Sequence, residues 1–378
     1  MSSRQAVLLG NPGTKRTVYL EQAAKQCGLS VLPALQPEAF PAAGFLVVDW
    51  KEWSRLLTGA RSLLQPDTAT YIKIDPPLWE SCRLEELDAL TASYRKDLEI
   101  LAGLEQQAER NLQTSFGTVT FFNHPRGILE LLDKRACKMR LTQAGLAVTE
   151  MMIPEDQVPI RTAGQLIQAM IRQHIHQVFV KPVCGSGAAG VSAFRTQPGT
   201  GRMVLYTCAA ESPDGGLINT KRLVRCEDRE QIQRALDKLL ALDCIVERWY
   251  PKAQYKGFSY DLRVVMQNGE LDYILARLSK GPVTNLHLNN HPVEYEALSL
   301  PVQVLSQIRS LCRSAMSCFP SLSCAGIDIL LEKGSLRPRI IEMNAQGDLI
   351  YQDIYQENRI YLHQAEMMKQ WLKEGRIL

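Results

Sequence analysis

The sequence predicts a mixed α/β protein in which an open α/β domain precedes a larger α+β region, and three observations carry that prediction. From Ala6 to Val48 short apolar runs alternate with a helical pattern, the rhythm of an open α/β sheet. In mid-chain the strand QVFVKP ends at Lys181-Pro182 and runs straight into the glycine-rich CGSGAAGVS. Near the C-terminus GIDILLEKGSLRPRIIEMN, residues 326–344, reads as two apolar strands joined by a Gly-containing turn.

In chain order, a strand at Ala6–Leu9 is followed by a helix over Thr17–Cys27 and apolar runs at Leu29–Leu32 and Phe45–Val48. GNPGTK after the first strand lacks the GxxxxGK[ST] spacing of a P-loop, so it reads as a turn entering a helix. A polar-rich helix or helix pair fits Leu84–Asn111. At NHPRGILELLDKRACKMRLTQAG, Pro125 opens a helix and Gly145 closes it. After QVFVKP and its loop come a helix at Arg229–Leu242, the strand CIVERW, the strands DLRVVM and LDYILARL, a helix at Val302–Ser317 and the final hairpin.

Composition narrows the partners. With 378 residues, 46% hydrophobic and 22% charged, the chain is long enough for two or three domains with a large buried core. A formal net charge of +3 without a dense Lys/Arg run gives no reason to expect nucleic acid or a membrane as partner. Ten cysteines without CxxC spacing fit reduced thiols, and no apolar stretch suits a signal peptide or membrane span, so a cytoplasmic location is expected. His174 and His176 in RQHIHQ have no further ligand at metal spacing and read as solvated side chains.

The hairpin carries the sharpest chemical signal. Side chains alternate along a strand, so Glu342 and Asn344 share one face. If the turn spans Lys333–Arg337, Asp328 lies opposite Glu342 on that face, and a one-residue slip would separate them. Like charges so paired repel unless a cation stands between them. The hairpin asks for a metal. Lys181, at a strand end before the small residues Gly185, Ser186 and Gly187, suits phosphate oxygens, or else marks a hairpin with a flexible tip. In CIVERWYPK, Glu247 ends an apolar strand ahead of Trp249 and Tyr250, where a carboxylate or backbone carbonyl could accept from an adenine amino group.

Taken in order, these pieces resemble the ATP-grasp ligases, over residues 123–344. The matching positions are Asn123, the Asp133-Lys134 pair, Lys181-Pro182, Glu247-x-Trp249, Asp328 and Glu342-x-Asn344. The resemblance implies an ATP-grasp fold with an N-terminal domain at 1–122, a central nucleotide lid at 123–246 and a metal-binding subdomain at 247–378. It implies ATP and Mg²⁺, with Mn²⁺ as an alternative. Asp328, Glu342 and Asn344 would hold the metal; Lys134 and Lys181 would neutralise phosphates under the 185–190 loop; Glu247, Trp249 and Tyr250 would hold adenine; and Asp261 would make a ribose or metal-side contact. Arg263 and Arg277, in glutathione synthetase-like and ribosomal-protein glutamate ligase-like members, would face the transferring phosphoryl group as catalytic residues. TNLHLNN is similar to a substrate loop of the peptide-modifying members, retaining Asn285 and His287 while departing at Leu288, Asn289 and Asn290. Lys73 and Asp75 in IKIDPP resemble a substrate contact of glutathione synthetase. The implied reaction joins a small-molecule or peptide carboxylate to an amine-type acceptor, or a thiol, through an acyl phosphate with release of ADP and phosphate. A kinase that stops at phosphate transfer, a nucleotide-binding regulator and a homodimer remain open alternatives.

Overall fold

Three sheets organise the chain in the computed structural model, which describes residues 3–33, 45–58, 64, 68–79, 81–110, 118–154, 158–185 and 187–375. The expected phosphate-loop residue Ser186 and the expected helix end at Asn111 lie outside these residues.

The first sheet is parallel throughout, with strands in the order Val31–Pro33, Phe45–Asp49, Ser3–Gly10, Thr68–Ile74, Val119–Phe121. Buried on both faces, its central strands are continuous apolar runs such as Ala6 to Leu9, as a covered parallel sheet requires. GNPGTK is a turn into the helix Lys15–Gln26, where the Thr14 hydroxyl caps the helix by accepting from Thr17 N–H. One cover of this sheet comes from the far end of the chain. The C-terminal helix Arg359–Glu374 shares a core with Ala6, Leu8 and Tyr71, and Trp371 stacks on Tyr71 with ring centroids 5.2 Å apart.

The second sheet is antiparallel, in the order Cys244–Arg248, Gln177–Pro182, Ser192–Thr196, Met203–Glu211, Leu217–Cys226. The helices Ala163–Arg172 and Arg229–Ala241 pack their apolar stripes, including Leu166, Met170, Ile232, Leu236 and Leu240, into its core. The expected division at 246/247 runs through the strand Cys244–Arg248, which pairs with Gln177–Pro182. A segment of the first domain reaches this sheet as well. Leu84 N–H donates to Leu217 O and Asn219 N–H to Cys82 O, extending the sheet past its edge strand.

The third sheet, also antiparallel, runs His291–Glu294, Glu270–Ser279, Phe258–Gln267, Cys324–Leu331, Pro338–Asn344, with Gln254–Tyr255 paired alongside. The helix Val302–Ser317 covers one face through Val304, Ile308, Cys312 and Ala315.

The helix expected between Pro125 and Gly145 is two helices. Pro125–Leu132 stops at Asp133, whose backbone is extended and whose carboxylate caps Ala136 N–H to start Lys134–Gln143. That break turns Lys134 into the first residue of a helix rather than its middle. Asn123, just upstream, fastens this helix pair to the final hairpin. Its amide donates to Cys324 O and Ala345 O and accepts from Ser323 and Cys324 N–H, using all four of its hydrogen-bonding positions.

Candidate active site

A cleft of about 750 Å³ lies between the second and third sheets. The second sheet contributes Phe179, Lys181 and Glu247 and the loop Gly187–Val191; the third contributes Asp261, Arg277, Asp328, Leu330 and Glu342. Lys134, Thr149, Tyr250, Lys252, Thr284 and Asn285 complete the wall.

The hairpin has the expected register. Its turn occupies 333–337, Asp328 stands opposite Glu342, and Gly326 stands opposite Asn344. The pairing shifts by one residue immediately afterwards, Ile329 facing Ile340, so a bulge sits beside the carboxylate pair. The two carboxylates differ in their surroundings. Asp328 accepts from Arg263 Nε at 2.5 Å and stands 3.0 Å from Arg277 Nη2, whereas Glu342 accepts from the Asn344 amide at 3.1 Å. Burial raises the Glu342 pKa, but Lys134 and then Lys181 outweigh it and hold the carboxyl below its ordinary value.

Arg263 and Arg277, expected to face a reacting phosphoryl group, clamp Asp328 from the neighbouring strand and the strand beyond. Arg263 lies directly opposite Asp328 and also donates to Gly347 O at 3.3 Å. Arg277 lies opposite Asp261 and binds its carboxylate through two bonds of 2.8 and 2.9 Å. Asp261, expected at a ribose or metal-side contact, is held by these side chains: Arg277, Lys252 and the Thr284 hydroxyl keep its pKa at about 2 against the upward effect of burial. Of the two arginines, Arg277 lines the cleft.

Glu247 is 2% exposed and lies between two lysines, Lys138 Nζ 3.0 Å from one oxygen and Lys181 Nζ 2.9 Å from the other, which also accepts from Thr149 Oγ1 at 2.9 Å. Burial would raise its pKa, yet the two lysines bring it to about 2. Both Glu247 oxygens are thus engaged by side chains of the protein, Lys181 among them, while the residue still lines the cleft. The position following Lys134 by one helical turn, Lys138, was missed in the sequence, although KRACK puts the two lysines on one helix face. Lys138 further donates to Thr149 O and Ile341 O, tying the helix to the segment at Thr149 and to the strand Pro338–Asn344.

Lys134 donates to Gly185 O at 2.6 Å and Val183 O at 3.3 Å, so it holds the start of the glycine loop. Gly185 and Gly187 both have positive φ, which the loop's close approach to Leu87 and to His287 requires. Trp249 turns out of the cleft to pack on Phe179 and Tyr206, while Tyr250 lies between the guanidinium groups of Arg248 and Arg339. Asn285 caps the turn Leu286–Leu288 through His287 N–H, and His287 faces Gly187 across the cleft mouth.

Lys73 and Asp75 lie elsewhere. Both are buried, 3% and 1% exposed, in a network of the first domain: Lys73 Nζ is 2.5 Å from Asp75 and 3.3 Å from Asp348, which also binds Arg16 and Gln364. They tie the first sheet to the loop following Asn344 and do not line the cleft. His174 and His176 are exposed, and all ten cysteines are free thiols. Among the described residues no helix is long and apolar enough to cross a membrane.

The donor set on the hairpin fits a hard divalent cation such as Mg²⁺. Glu342 is ionised, the Asn344 side-chain oxygen lies on the same face, and Mg²⁺ takes one or two carboxylates and fills its remaining positions with phosphate and water. Among the described residues no three His, Cys, Asp or Glu side chains converge, as a site completed by a ligand's phosphates does not need them to.

No family model matches the chain, and no curated protein matches it in sequence. Its fold has clear counterparts. D-cycloserine synthetase DcsG superposes with a TM-score of 0.56 at 12% identity over 97% of this chain and 99% of that one. The ATP-grasp ligase PsnB, complexed with a minimal precursor, Mg and ADP, gives 0.56 at 12% identity over 98% of both chains. The macrocyclase MdnC from Microcystis aeruginosa MRC, bound with its precursor peptide MdnA, gives 0.56 at 12% identity over 97% of this chain and 99% of that one. The chain has the ATP-grasp fold, preceded by an open α/β domain.

Proposed function

We propose that the chain is an ATP-dependent carboxylate–amine ligase that works through an acyl phosphate. The observation that carries this reading is the charge balance of the cleft region. The cleft wall carries Lys134, Lys181, Arg248, Lys252 and Arg277 against Glu247, Asp261, Asp328 and Glu342, and Lys138 and Arg263 neutralise two of those carboxylates, Glu247 and Asp328, from outside the lining. The resulting positive excess in a low-dielectric cleft suits the net negative charge of a nucleoside triphosphate carrying one divalent cation.

Lys181, aimed by Glu247, and Lys134, on the helix start, approach from separate elements and suit the phosphates of ATP. Phe179, Tyr250, Leu330 and Ile341 supply apolar surface for a base. Glu342, Asn344 and Asp328 would hold Mg²⁺, which supplies charge neutralisation at the phosphates when bound. In the first step a carboxylate oxygen of the substrate attacks the terminal phosphorus and ADP leaves. In the second an amine attacks the acyl carbon, the C–O bond to phosphate breaks, and inorganic phosphate and a proton are released. Splitting the condensation replaces a poor leaving group with a good one. Arg277, the one of the two clamping arginines that lines the cleft, suits the developing oxyanion.

The neighbouring folds support the reaction class, since they include an ATP-grasp ligase complexed with a precursor, Mg and ADP, and the D-alanine–D-alanine ligase of Bacillus anthracis. A phosphate-release screen of the purified protein with ATP, Mg²⁺ and pools of amino acids, peptides and small acids tests the proposal. Stimulation by a carboxylate pool supports it; ATP binding without stimulation by any pool favours a nucleotide-binding regulator.

A further inference from the structure

Lys252 has no part in the sequence-based reading, yet it is the most unusual cation of the cleft. It follows the strand Cys244–Arg248, its backbone bridges to Glu332, and its side chain reaches the cleft wall with only 8% of the residue exposed. Its ammonium donates to Thr284 Oγ1 at 2.6 Å and stands 3.6 Å from Asp261 Oδ2. Among the described residues that is one hydrogen bond for three N–H donors.

Asp261 does not need this lysine. Both of its oxygens are engaged by Arg277 in a bidentate pair, and the Thr284 hydroxyl donates to one of them. Lys252 is therefore a second cation beside an already neutralised carboxylate, held by Thr284 in one position and desolvated without full compensation. Burying an ammonium in that state costs free energy that a structural role does not return. Burial lowers its pKa to about 8, Asp261 offsetting part of the effect and Arg277 and Lys181 adding to it. An arriving anion would supply the missing partner.

We infer that Lys252 is a third phosphate-contacting cation of the cleft, donating to a polyphosphate oxygen of the bound nucleotide beside Lys134 and Lys181. The inference rests on the nucleotide reading of the cleft and adds a residue that this reading did not contain. Thr284 is its positioning residue, accepting from Lys252 while donating to Asp261.

The test is equilibrium binding of ADP and of adenosine, by calorimetry and competition, to the wild type, Lys252→Met and Lys252→Arg, all with Mg²⁺. A phosphate contact predicts that Lys252→Met weakens ADP roughly 10- to 100-fold, leaves adenosine within about twofold, and is partly rescued in Lys252→Arg. Lys252→Gln gives the same comparison if the Met variant does not fold. Equal losses for ADP and adenosine would make Lys252 a structural cation and overturn the inference, as would unchanged ADP affinity. If the wild type binds neither ligand, the nucleotide reading itself fails and the inference with it; ADP binding by the wild type with an unaltered Lys252→Met variant removes the inference alone.

Discussion

Asp328 and Glu342 face each other across adjacent strands, and each is neutralised from a different side: Asp328 by Arg263 and Arg277, Glu342 by Lys134 and Lys181. The pair thus combines a carboxylate clamped by two arginines with one less tightly held. Substitution should separate the two roles. Glu342→Gln should abolish ATP turnover while changing stability by less than about 1 kcal/mol, because Glu342 is only half-buried and its cationic neighbours keep other partners. Asp328→Asn should lose turnover and also destabilise the protein by about 3 kcal/mol, since it leaves the largely buried Arg263 without its carboxylate partner. Thermal denaturation beside an ATPase assay distinguishes them; a stable Asp328→Asn protein would contradict the assignment.

The lysine pair around Glu247 leads to a prediction in pH. The Glu247 and Asp261 carboxyls lie at about 2 in the folded protein, below their ordinary values of 4.5 and 3.8. A depressed carboxylate pKa contributes stability that is fully present above the unfolded value and lost as pH falls through the folded one. Stability should therefore hold down to about pH 4.5 and fall steeply between there and pH 2. Denaturant titrations across that range measure the slope. In Glu247→Gln the slope should be shallower and the protein at neutral pH weaker by roughly 3–5 kcal/mol, with Lys138 and Lys181 buried and unpaired.

The phosphate-binding reading of the lysines can be measured directly. Lys181→Met and Lys134→Met should each weaken ATP binding by about 1.5–3 kcal/mol, the loss of one charge-assisted contact. Lys134→Met should in addition loosen the glycine loop, because Lys134 donates to Gly185 O and Val183 O. Faster hydrogen exchange at 183–190 in that variant, and not in Lys181→Met, is the expected signature.

Gly190 offers a test of the loop's geometry. Its φ is +67°, and a Cβ there would meet Pro182 Cγ at 2.8 Å and Leu84 Cδ1 at 3.2 Å. Gly190→Ala should cost about 1–3 kcal/mol from backbone strain and overpacking together and lower ATP affinity by displacing the loop. Gly199→Ala, also at positive φ but with open space around its Cβ, should show the strain without the loss of affinity.

What the sequence revealed and what it hid follow from the range of the interactions. The register of the final hairpin was legible because alternation and turn length are local properties, and together they set Asp328 against Glu342. The glycine loop after Lys181 was legible for the same reason. The partners of these residues were harder to read: Glu247 meets Lys138 over more than a hundred residues, and Arg277 meets Asp261 across a hairpin whose Asn268-Gly269 turn announces the pairing but whose register shift at Val265/Met266 has no sequence signal. The strands Met203–Glu211 and Leu217–Cys226 lack a clear alternation: the first, MVLYTCAAE, is a mostly apolar run, and the second, LINTKRLVRC, is largely polar and only partly buried. Lys73 and Asp75 resemble a substrate contact in sequence; the C-terminal segment that buries them, through Asp348 and Gln364, is distant along the chain.

The central claim is that a carboxylate is activated by phosphorylation at this cleft. Its most direct measurement follows isotopic oxygen from an ¹⁸O-labelled carboxylate substrate, found through the phosphate-release screen, into the released products, with hydroxylamine added in a parallel reaction. The account predicts ADP with labelled inorganic phosphate, and a hydroxamate in the parallel reaction. AMP with pyrophosphate, or phosphate free of label, would contradict it.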